Sequence, residues 1–171
     1  MGQLKLDDRD VAILKVLSRE GRISKAELAA RINLSPSACW ERLKRLEAAR
    51  VITAYRAEIA LARLAPHIVV FVAVELERHR AENFQTFERT VADYPEVVAC
   101  WALGGGFDYL MQVVTVDIDS YQELIDDLLE RKIGLARYYT YIVTKPVKGD
   151  GAPPFDQLLP DAAARNHPSD L

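Results

Sequence analysis

Hydrophobic residues in the N-terminal part of the chain recur every three or four positions, and this spacing predicts short amphipathic helices. The first helix begins at Asp7, an acidic residue that suits the positive end of a helix, and carries Val11, Leu14 and Leu17 as its buried stripe. It ends at Gly21. Because its outer face offers no chemistry, we interpret this helix as a support for the elements that follow.

A second helix is expected after Ser24, with a tight turn at its end. Ser24 and Glu27 stand three residues apart, which is the spacing of a capping box, and Leu28 and Ile32 would be buried. Asn33 tolerates the left-handed backbone that a sharp corner between two helices needs. The sequence therefore predicts a helix, a tight turn and the start of another helix.

A third helix is predicted to begin at Ser35, its cap, with Pro36 at the first helical position, where a missing N–H costs nothing. Cys39, Leu43 and Leu46 recur at i, i+4 and i+7 and predict the buried face. Small and hydroxylic residues occupy the outer surface near the N-terminus, and cations follow along its length. This outer set comprises Ser37, Ala38, Glu41, Arg42 and Arg45, with Lys44 at its flank.

The outer set favours DNA recognition. A helix that enters the major groove needs a slim leading end close to the base edges, followed by Arg or Lys for bases and phosphates. A solvated amphipathic helix with ordinary surface charges is the alternative, because basic helix faces are common. The capped helix just before it favours a helix-turn-helix, so we predict DNA contacts from Ser24, Ser35 and the outer set.

From Ile68 onward the pattern changes to strands that alternate with helices. The predicted order is a strand at 68–76, a helix carrying Phe84, Phe87, Val91 and Tyr94, strands at 97–103 and 107–116 joined by three glycines, a helix with an apolar stripe at 118–129, and a strand at 136–145. This β-α-β-β-α-β order predicts a ferredoxin-like sandwich. The fold class is therefore α+β, with an N-terminal winged helix-turn-helix domain and a C-terminal ferredoxin-like βαββαβ sandwich domain.

The predicted sheet has one face that its two helices leave uncovered. Phe71, Trp101 and Tyr141 are too apolar to leave that face in water. We therefore predict a homodimer in which two such sheets meet. Its paired recognition helices would suit a pseudo-palindromic operator in double-stranded DNA.

The net charge of the whole chain and the charges of its two parts lead to different conclusions about DNA binding. The 171 residues carry a net charge of −3 and a pI near 5.7, which by itself argues against nucleic-acid binding. Residues 1–63 hold thirteen Lys or Arg and eight Asp or Glu, net +5, whereas residues 64–171 hold nine and seventeen, net −8. The basic part contains the predicted helix-turn-helix, which agrees with phosphate contact there.

The sequence lacks membrane, metal and catalytic signatures. No run approaches the ~20 apolar residues of a membrane span and the N-terminus lacks a signal-peptide pattern, so we expect a cytoplasmic protein with no membrane partner. Cys39 and Cys100 lack CxxC spacing, and His67, His79 and His167 lie far apart in the chain. We therefore predict no metal, no cofactor and no catalytic residue.

A second stretch with possible chemistry lies between two predicted strands. Gly104, Gly105 and Gly106 expose backbone N–H groups as a carboxylate-binding nest requires, and Asp108 could hold an ammonium group. A flexible hairpin turn, with Asp108 as a turn residue, is the alternative that these residues alone leave open.

Two runs of sequence carry a family resemblance. GRIS.AELA, followed by LSPS.C.ERLKRLE and VI..Y, resembles the winged helix-turn-helix of the Lrp/AsnC family, the leucine-responsive and feast/famine regulators, and residues 4–148 as a whole are similar to that family. The resemblance implies a sequence-specific transcriptional regulator that responds to an amino acid or a derivative of one. It also implies dimers that assemble further into tetramers or octamers.

The glycine-rich stretch is similar to the G-D-F-D-Y-L-L signature of that family's amino-acid-sensing domain. The resemblance implies an effector site at Gly104, Gly105, Gly106, Phe107, Asp108, Tyr109, Thr140 and Tyr141, in a cleft between dimers. Two positions depart from the family pattern. Arg50 follows the recognition helix where Gly is usual, and a left-handed cap costs a non-Gly residue about 1 kcal/mol. Gly106 replaces an acidic residue, which implies a roomier and less negative cleft.

Composition and resemblance together divide the chain into four segments. We assign 1–53 to the DNA-binding domain, 54–67 to a connecting strand and linker, 68–148 to the effector-binding and oligomerisation domain, and 149–171 to a Pro/Ala-rich tail. Residues 51–52 and 55–59 are interpreted as a short wing and a connecting strand. The tail is expected to be poorly ordered. Packing on a neighbouring subunit through Phe155, Leu158 and Leu159 is the alternative.

Two other functions stay open at this point. Some sirohaem decarboxylases resemble the same two-domain plan, but such an enzyme needs His and Arg groups gathered at a haem pocket, and the sequence shows no such cluster. A stand-alone effector-binding module, whose helix-turn-helix no longer contacts DNA, is the third interpretation. The presence of Arg42 and Arg45 argues against it.

Overall fold

The computed structural model describes residues 4–149 and 151–160, and the chain divides into two compact units. The first unit combines Met1–Glu58 with the segment that begins at Lys148, and the second is Ile59–Val147. The first contains α1 (Asp8–Leu17), α2 (Lys25–Arg31), α3 (Pro36–Ala48) and the short α6 (Phe155–Leu158). The second contains a 3-10 turn (Leu61–Arg63), β1 (Ile68–Leu76), α4 (Ala81–Ala92), β2 (Val97–Ala102), β3 (Tyr109–Thr115), α5 (Ile118–Glu130) and β4 (Leu135–Ile142).

The N-terminus of α1 is closed by a complete capping box. The Asp7 carboxylate accepts the N–H groups of Arg9 and Asp10, and the Asp7 N–H donates to the Asp10 carboxylate. These bonds satisfy donors that a helix N-terminus otherwise leaves without partners. The predicted start of the first helix is confirmed.

The helix-turn-helix forms with the caps and the left-handed residues that the sequence predicts. The Ser24 hydroxyl accepts the N–H of Glu27, and the Ser35 hydroxyl accepts the N–H of Ala38. The Glu27 carboxylate binds an arginine of its own helix, so this capping box is only half formed. Asn33 and Arg50 have φ values of 53° and 54°. Arg50 thus adopts the left-handed cap despite its side chain.

The core of the first unit lies where the three helices meet. Ile13, Ala29 and Leu46 are inaccessible to solvent, and the predicted stripes of α2 and α3 are buried beside them. Each large aliphatic side chain removed from water in this way contributes about 1.5–3 kcal/mol to stability before the entropy cost. This core fixes which surface of α3 remains available for contacts.

The C-terminal segment corrects one expectation. We expected 149–171 to be poorly ordered, but Phe155 packs against the core of the first unit, and Lys15 Nζ lies 2.5 Å from Asp156 Oδ1. An aromatic side chain that covers apolar surface offsets the entropy cost of ordering its segment. Phe155 therefore packs on the core of its own chain. The end of the predicted tail, 161–171, lies outside the described residues.

The connecting strand is a second correction. Residues 51–60 form no strand in the described part of the chain. The N–H groups of Val51 and Ile52 instead donate to the Leu46 carbonyl and close the end of α3. An extended segment becomes a strand only when another strand accepts and donates its ladder hydrogen bonds.

The second unit is a four-stranded antiparallel sheet in the order β2-β3-β1-β4, with α4 and α5 on one face. In its register, Val72 of β1 lies between Met111 of β3 and Thr140 of β4. Alternate residues of the strands face the helices and form a buried core with Phe87 and Leu128. The ferredoxin-like prediction and the hairpin between β2 and β3 are confirmed.

The opposite face of the sheet carries aromatic side chains and no helix. Trp101, Tyr139 and Tyr141 are 46%, 42% and 53% exposed, and Phe71 is half-buried beside them. A contiguous apolar surface of this kind marks a contact site more often than a solvated face. We call it the open sheet face below.

Candidate nucleic-acid interface and effector loop

The outer surface of α3 is a narrow stripe of short and oppositely charged side chains. Ser37, Glu41, Lys44 and Ala48 follow one another at i, i+4, i+7 and i+11, opposite the buried face, and all four are exposed. We call these four residues the outer stripe. Ala38, which the sequence assigned to the same surface, is half-buried.

Arg42 and Arg45 turn away from the outer stripe towards α1. Arg42 Nη1 lies 2.6 Å from Asp7 Oδ2 and 2.9 Å from Asp10 Oδ1, and Arg45 Nη2 pairs with Asp10 Oδ2. The Asp10 side chain is 0% exposed, so its charge requires these partners. Arg42 is therefore drawn off the outward surface that the sequence predicted for it, whereas Arg45 pairs with Asp10 and still remains exposed. Arg42 is held at 28% exposure, and Arg45, at 45%, keeps part of its guanidinium in solvent.

The ion pairs also set the acid–base behaviour of the helix cap. Burial raises the pKa of the Asp7 carboxyl, but the hydrogen bond and charge of Arg42, with the N–H of Asp10, outweigh burial and hold that pKa below its ordinary 3.8. A depressed carboxyl pKa stabilises the fold above the ordinary value, and the stabilisation is lost as the pH falls through the folded-state value. The cluster is therefore intact at neutral pH.

An aromatic side chain on the flank of α3 binds two lysines. Lys25 Nζ lies 3.3 Å from the centroid of the Trp40 ring, and Lys44 Nζ lies 4.9 Å from it. Such cation–π contacts contribute about 0.5–1 kcal/mol at exposed sites. This cluster was not predicted from the sequence. The four-residue spacing of Trp40 and Lys44 could have indicated their contact. Lys25 belongs to another helix, and the local sequence gives no sign of its contact with Trp40.

The two capping serines lie at the N-termini of α2 and α3. Besides accepting the N–H of Ala38, the Ser35 hydroxyl lies 3.2 Å from the hydroxyl of Ser37. Ser24 and Ser35 therefore already serve as caps, and their contact with DNA stays a prediction.

Gly104, Gly105 and Gly106 form an exposed bend between β2 and β3. A Cβ added at any of them would meet no atom within 4 Å, and the N–H groups of 104–107 have no hydrogen-bond partner among the described residues. None of the three glycines has a left-handed φ. The predicted nest is therefore not preformed, because a nest alternates right- and left-handed residues so that successive N–H groups converge. The bend instead offers four accessible donors.

Asp108 fastens this bend to the sheet. Its Oδ2 accepts the N–H of Leu76 at 2.8 Å, and His79 Nε2 lies 3.1 Å from Oδ1 and 3.2 Å from Oδ2. The Asp108 N–H donates to the Val74 carbonyl, and its own carbonyl accepts the Leu103 N–H. The side chain is 16% exposed. Oδ1, whose one partner is His79, is the oxygen with acceptor capacity left for a ligand.

The structure does not bring all the predicted effector residues to one surface. Tyr109 and Thr140 belong to the helix-covered face: the Tyr109 hydroxyl donates to Glu88 at 2.8 Å, and Thr140 Oγ1 lies 2.5 Å from the Tyr121 hydroxyl. Burial, followed by the hydrogen bond to Glu88, raises the pKa of Tyr109. Neighbouring strand residues point to opposite faces, so Thr140 and Tyr141 do not share one face of the sheet within a single chain. Their place in a cleft between dimers stays a prediction.

Phe107 and Asp108 instead have two neighbours that the sequence did not indicate. The ring of Phe107 packs edge-on against Tyr139, with centroids 5.2 Å apart, and His79 approaches Asp108 as described. The His79 side chain is 63% exposed, so it reaches Asp108 from the surface. Both contacts depend on β1 lying between β3 and β4, and local sequence carries no signal for that arrangement.

A separate cavity of about 630 Å³ lies in the second unit, beside the 3-10 turn, the end of β3 and α5. Its walls are mostly apolar and include Leu64, Tyr94, Val116 and Leu124, with Glu96 and Glu123 at polar positions. No predicted effector residue lines it. This cavity is thus distinct from the glycine bend.

The described ranges, 4–149 and 151–160, carry neither a metal-binding cluster nor a membrane-spanning helix. No group of three or more His, Cys, Asp or Glu side chains there is arranged to hold a metal ion. No helix of the same ranges has the length and hydropathy that a bilayer crossing requires.

Comparison with known families matches both units. Residues 6–53 match the family described as "Winged helix-turn-helix DNA-binding", and residues 69–153 match the "Lrp/AsnC ligand binding domain". The resemblance and the fold class inferred from the sequence are confirmed.

Individual relatives agree with this assignment. The chain is 51% identical over 149 residues to the transcriptional regulatory protein DoeX of Halomonas elongata, covering 87% of this chain and 94% of the relative. It is 36% identical over 143 residues to the leucine-responsive regulatory protein of Escherichia coli, covering 84% and 87%. A transcriptional regulator from Neisseria meningitidis, solved as a complex with L-Met, superposes with a TM-score of 0.83 at 33% identity, over 91% of this chain and 100% of that one.

Proposed function

The chain belongs to the Lrp/AsnC family of transcriptional regulators, and on that premise we propose how its residues read DNA, recognise an effector and pair subunits. Its function is that of a DNA-binding regulator that responds to a ligand. The relatives named above are regulators, and none of their names supports the sirohaem-decarboxylase alternative. The proposal concerns the residues, the effector class and the assembly.

The outer stripe of α3 is the surface that we propose for base contact. The observation that carries this assignment is the engagement of Arg42 and Arg45 by Asp10, which leaves the outer stripe as the exposed side of the helix opposite its core. Lys25 and Lys44, held at the Trp40 ring, supply cations for phosphates at the flank. Arg45 adds a partly exposed guanidinium.

An amino acid or a derivative of one is the effector class that we propose. The four N–H donors of 104–107 suit a carboxylate, and the Asp108 Oδ1 atom has capacity for an ammonium group. The Neisseria relative was solved with L-Met, which has both groups. Since the three glycines lack the left-handed φ of a nest, binding would require the bend to change conformation.

A homodimer that buries the open sheet face completes the proposal. Trp101, Tyr139 and Tyr141 give this face the aromatic composition of a protein interface. A two-fold pairing would present two copies of α3, which suits a pseudo-palindromic operator. Tetramers and octamers would need further contacts between dimers. From the family we expect these contacts to form a cleft at the glycine bend.

The experiment that tests the DNA and effector parts is a titration of labelled duplex DNA from upstream of the protein's own gene, followed by fluorescence anisotropy. Lys44→Ala should weaken binding at all sequences and reduce the slope of log affinity against log salt by about 1, because one phosphate contact is lost. Lys145→Ala, an exposed lysine of the other unit, is the matched control. An unchanged slope for Lys44→Ala would contradict the placement of α3.

The same titration with and without each amino acid tests the effector class. A ligand that binds the native protein raises its melting temperature, and one that distinguishes two DNA-binding states changes DNA affinity. We expect at least one amino acid to do both. If neither quantity responds to any amino acid, the proposed effector class is wrong.

A further inference from the structure

Glu41 occupies the middle of the outer stripe, where an acidic residue has a physical cost. It is exposed and makes no ion pair or hydrogen bond with another described residue. Arg45, one helical turn later, would be its usual partner but binds Asp10. Lys44 lies against the Trp40 ring. Glu41 would therefore approach a polyanionic duplex with an unneutralised carboxylate.

Such a carboxylate lowers affinity for DNA in general unless the groove offers it a donor. In the major groove guanine presents only acceptors, and thymine presents an acceptor and a methyl group. Adenine presents its N6 amino donor next to the N7 acceptor, which repels a carboxylate. Cytosine presents its N4 amino donor without a neighbouring acceptor of its own. Cytosine is thus the base whose hydrogen bond best offsets the repulsion between the Glu41 carboxylate and DNA.

We propose that Glu41 is a specificity-determining residue that reads one cytosine in each half-site by accepting a hydrogen bond from its N4 amino group. This inference rests on the proposed function, namely the outer stripe in the major groove. The neighbours permit the approach, because Ser37 one turn before Glu41 is short and Ala48 further along is shorter still. At other bases no hydrogen bond offsets the repulsion between Glu41 and the phosphates, and this disfavours incorrect sites.

The test is selection of duplexes from a randomised library by the full-length protein, followed by sequencing of the bound fraction. The wild-type motif should contain one cytosine position per half-site at which other bases reduce enrichment about tenfold, within the usual cost of one mismatched pair. Glu41→Gln should move that preference to adenine, because an amide pairs with adenine N6 and N7. Glu41→Ala should leave that position without preference. All other positions should stay unchanged.

Glu58→Gln is the matched control, since Glu58 is an exposed carboxylate of the same unit that lies outside α3. It removes the same charge and should retain the wild-type motif. Melting temperatures of the variants separate a changed preference from a folding defect.

Two negative outcomes are distinguishable. If the wild-type protein selects a motif and Glu41→Gln selects the same motif, the role of Glu41 is overturned while the proposed function stands. If the wild-type protein enriches no motif at all, the proposed reading of DNA by α3 fails, and the role of Glu41 fails with it.

Discussion

The two units of the chain differ in how far their polar and apolar groups find partners within the unit. The first unit pairs its buried carboxylate, Asp10, with two arginines and covers its core with Phe155. The second leaves Trp101 about half exposed and four backbone N–H groups without partners among the described residues. A unit that uses its arginines to pair a buried carboxylate has fewer charged side chains left for recognition, so its specificity depends on those that remain. A unit that leaves aromatic side chains and backbone donors exposed depends on contacts with other molecules.

Arg42→Ala is the change expected to damage this arrangement most. It leaves the buried Asp10 carboxylate with one remaining guanidinium, and removing one partner from a buried ion pair typically costs about 3 kcal/mol or more. Lys44→Ala, on the same helix but exposed, should lower the free energy of unfolding by no more than about 1 kcal/mol, because it removes only the cation–π contact with Trp40. Urea unfolding followed by Trp40 fluorescence, in a Trp101→Phe background, measures both. Equal stabilities would show that the cluster is not required.

Trp101→Asp should weaken subunit pairing through the open sheet face. Truncating a buried aromatic anchor commonly costs about 2 kcal/mol in association, or about 30-fold in the dissociation constant. Val147→Asp is the control, because Val147 is 92% exposed and lies outside the strands. Sedimentation velocity over a range of concentrations gives the association constant. A Trp101→Asp protein that remains as dimeric as the wild type would place the interface elsewhere.

Variants of Asp108 distinguish its role in holding the glycine bend to the sheet from a role in ligand binding. Asp108→Ala leaves the buried N–H of Leu76 unpaired, which costs about 1–2 kcal/mol in stability. Asp108→Asn keeps an acceptor for that N–H but removes the charge, so its stability should stay close to wild type. Calorimetry with the amino acid identified by titration then decides the role of the charge. Undiminished affinity in Asp108→Asn would make Asp108 an anchor only.

Arg50→Gly has the smallest expected effect and the opposite sign. Glycine relieves the left-handed strain at φ 54° but adds entropy to the unfolded chain, so the net gain should be about 0.5 kcal/mol. Arg50→Ala retains a Cβ and should bring no such gain. Chemical denaturation resolves the two variants. A loss of stability in Arg50→Gly would show that the Arg50 side chain itself contributes.

Local signals in the sequence were sufficient for most of the fold. Asp7, Ser24 and Ser35 are caps because of short-range hydrogen bonds, and Asn33 and Arg50 turn left-handed because the helix ends there. Periodicity identified both helices of the sandwich, and three consecutive glycines between two strand patterns identified the hairpin. These features depend on neighbours within a few residues, so a single sequence carries them.

The errors arose where a residue's partner is distant in sequence. Arg42 looks exposed on a helical projection, and only the packing of α1 brings Asp7 to it. Asp108 looks like a loop residue, and the sheet order brings Leu76 and His79 to its carboxylate. Phe155 looks like part of a disordered tail until the apolar surface of the first unit is present. Charge and hydrophobicity indicate that a partner is needed without identifying it.

The return of the C-terminal segment to the first unit gives the chain an unusual connectivity. The backbone leaves that unit after Glu58 and re-enters it at Lys148, so the sensing half is an insertion with two covalent tethers. Phe155 and the Lys15–Asp156 pair fasten the second tether. Residues 59–147 are therefore joined to the first unit at both of their ends, and the second junction is followed by a segment that is itself packed on the core of the first unit.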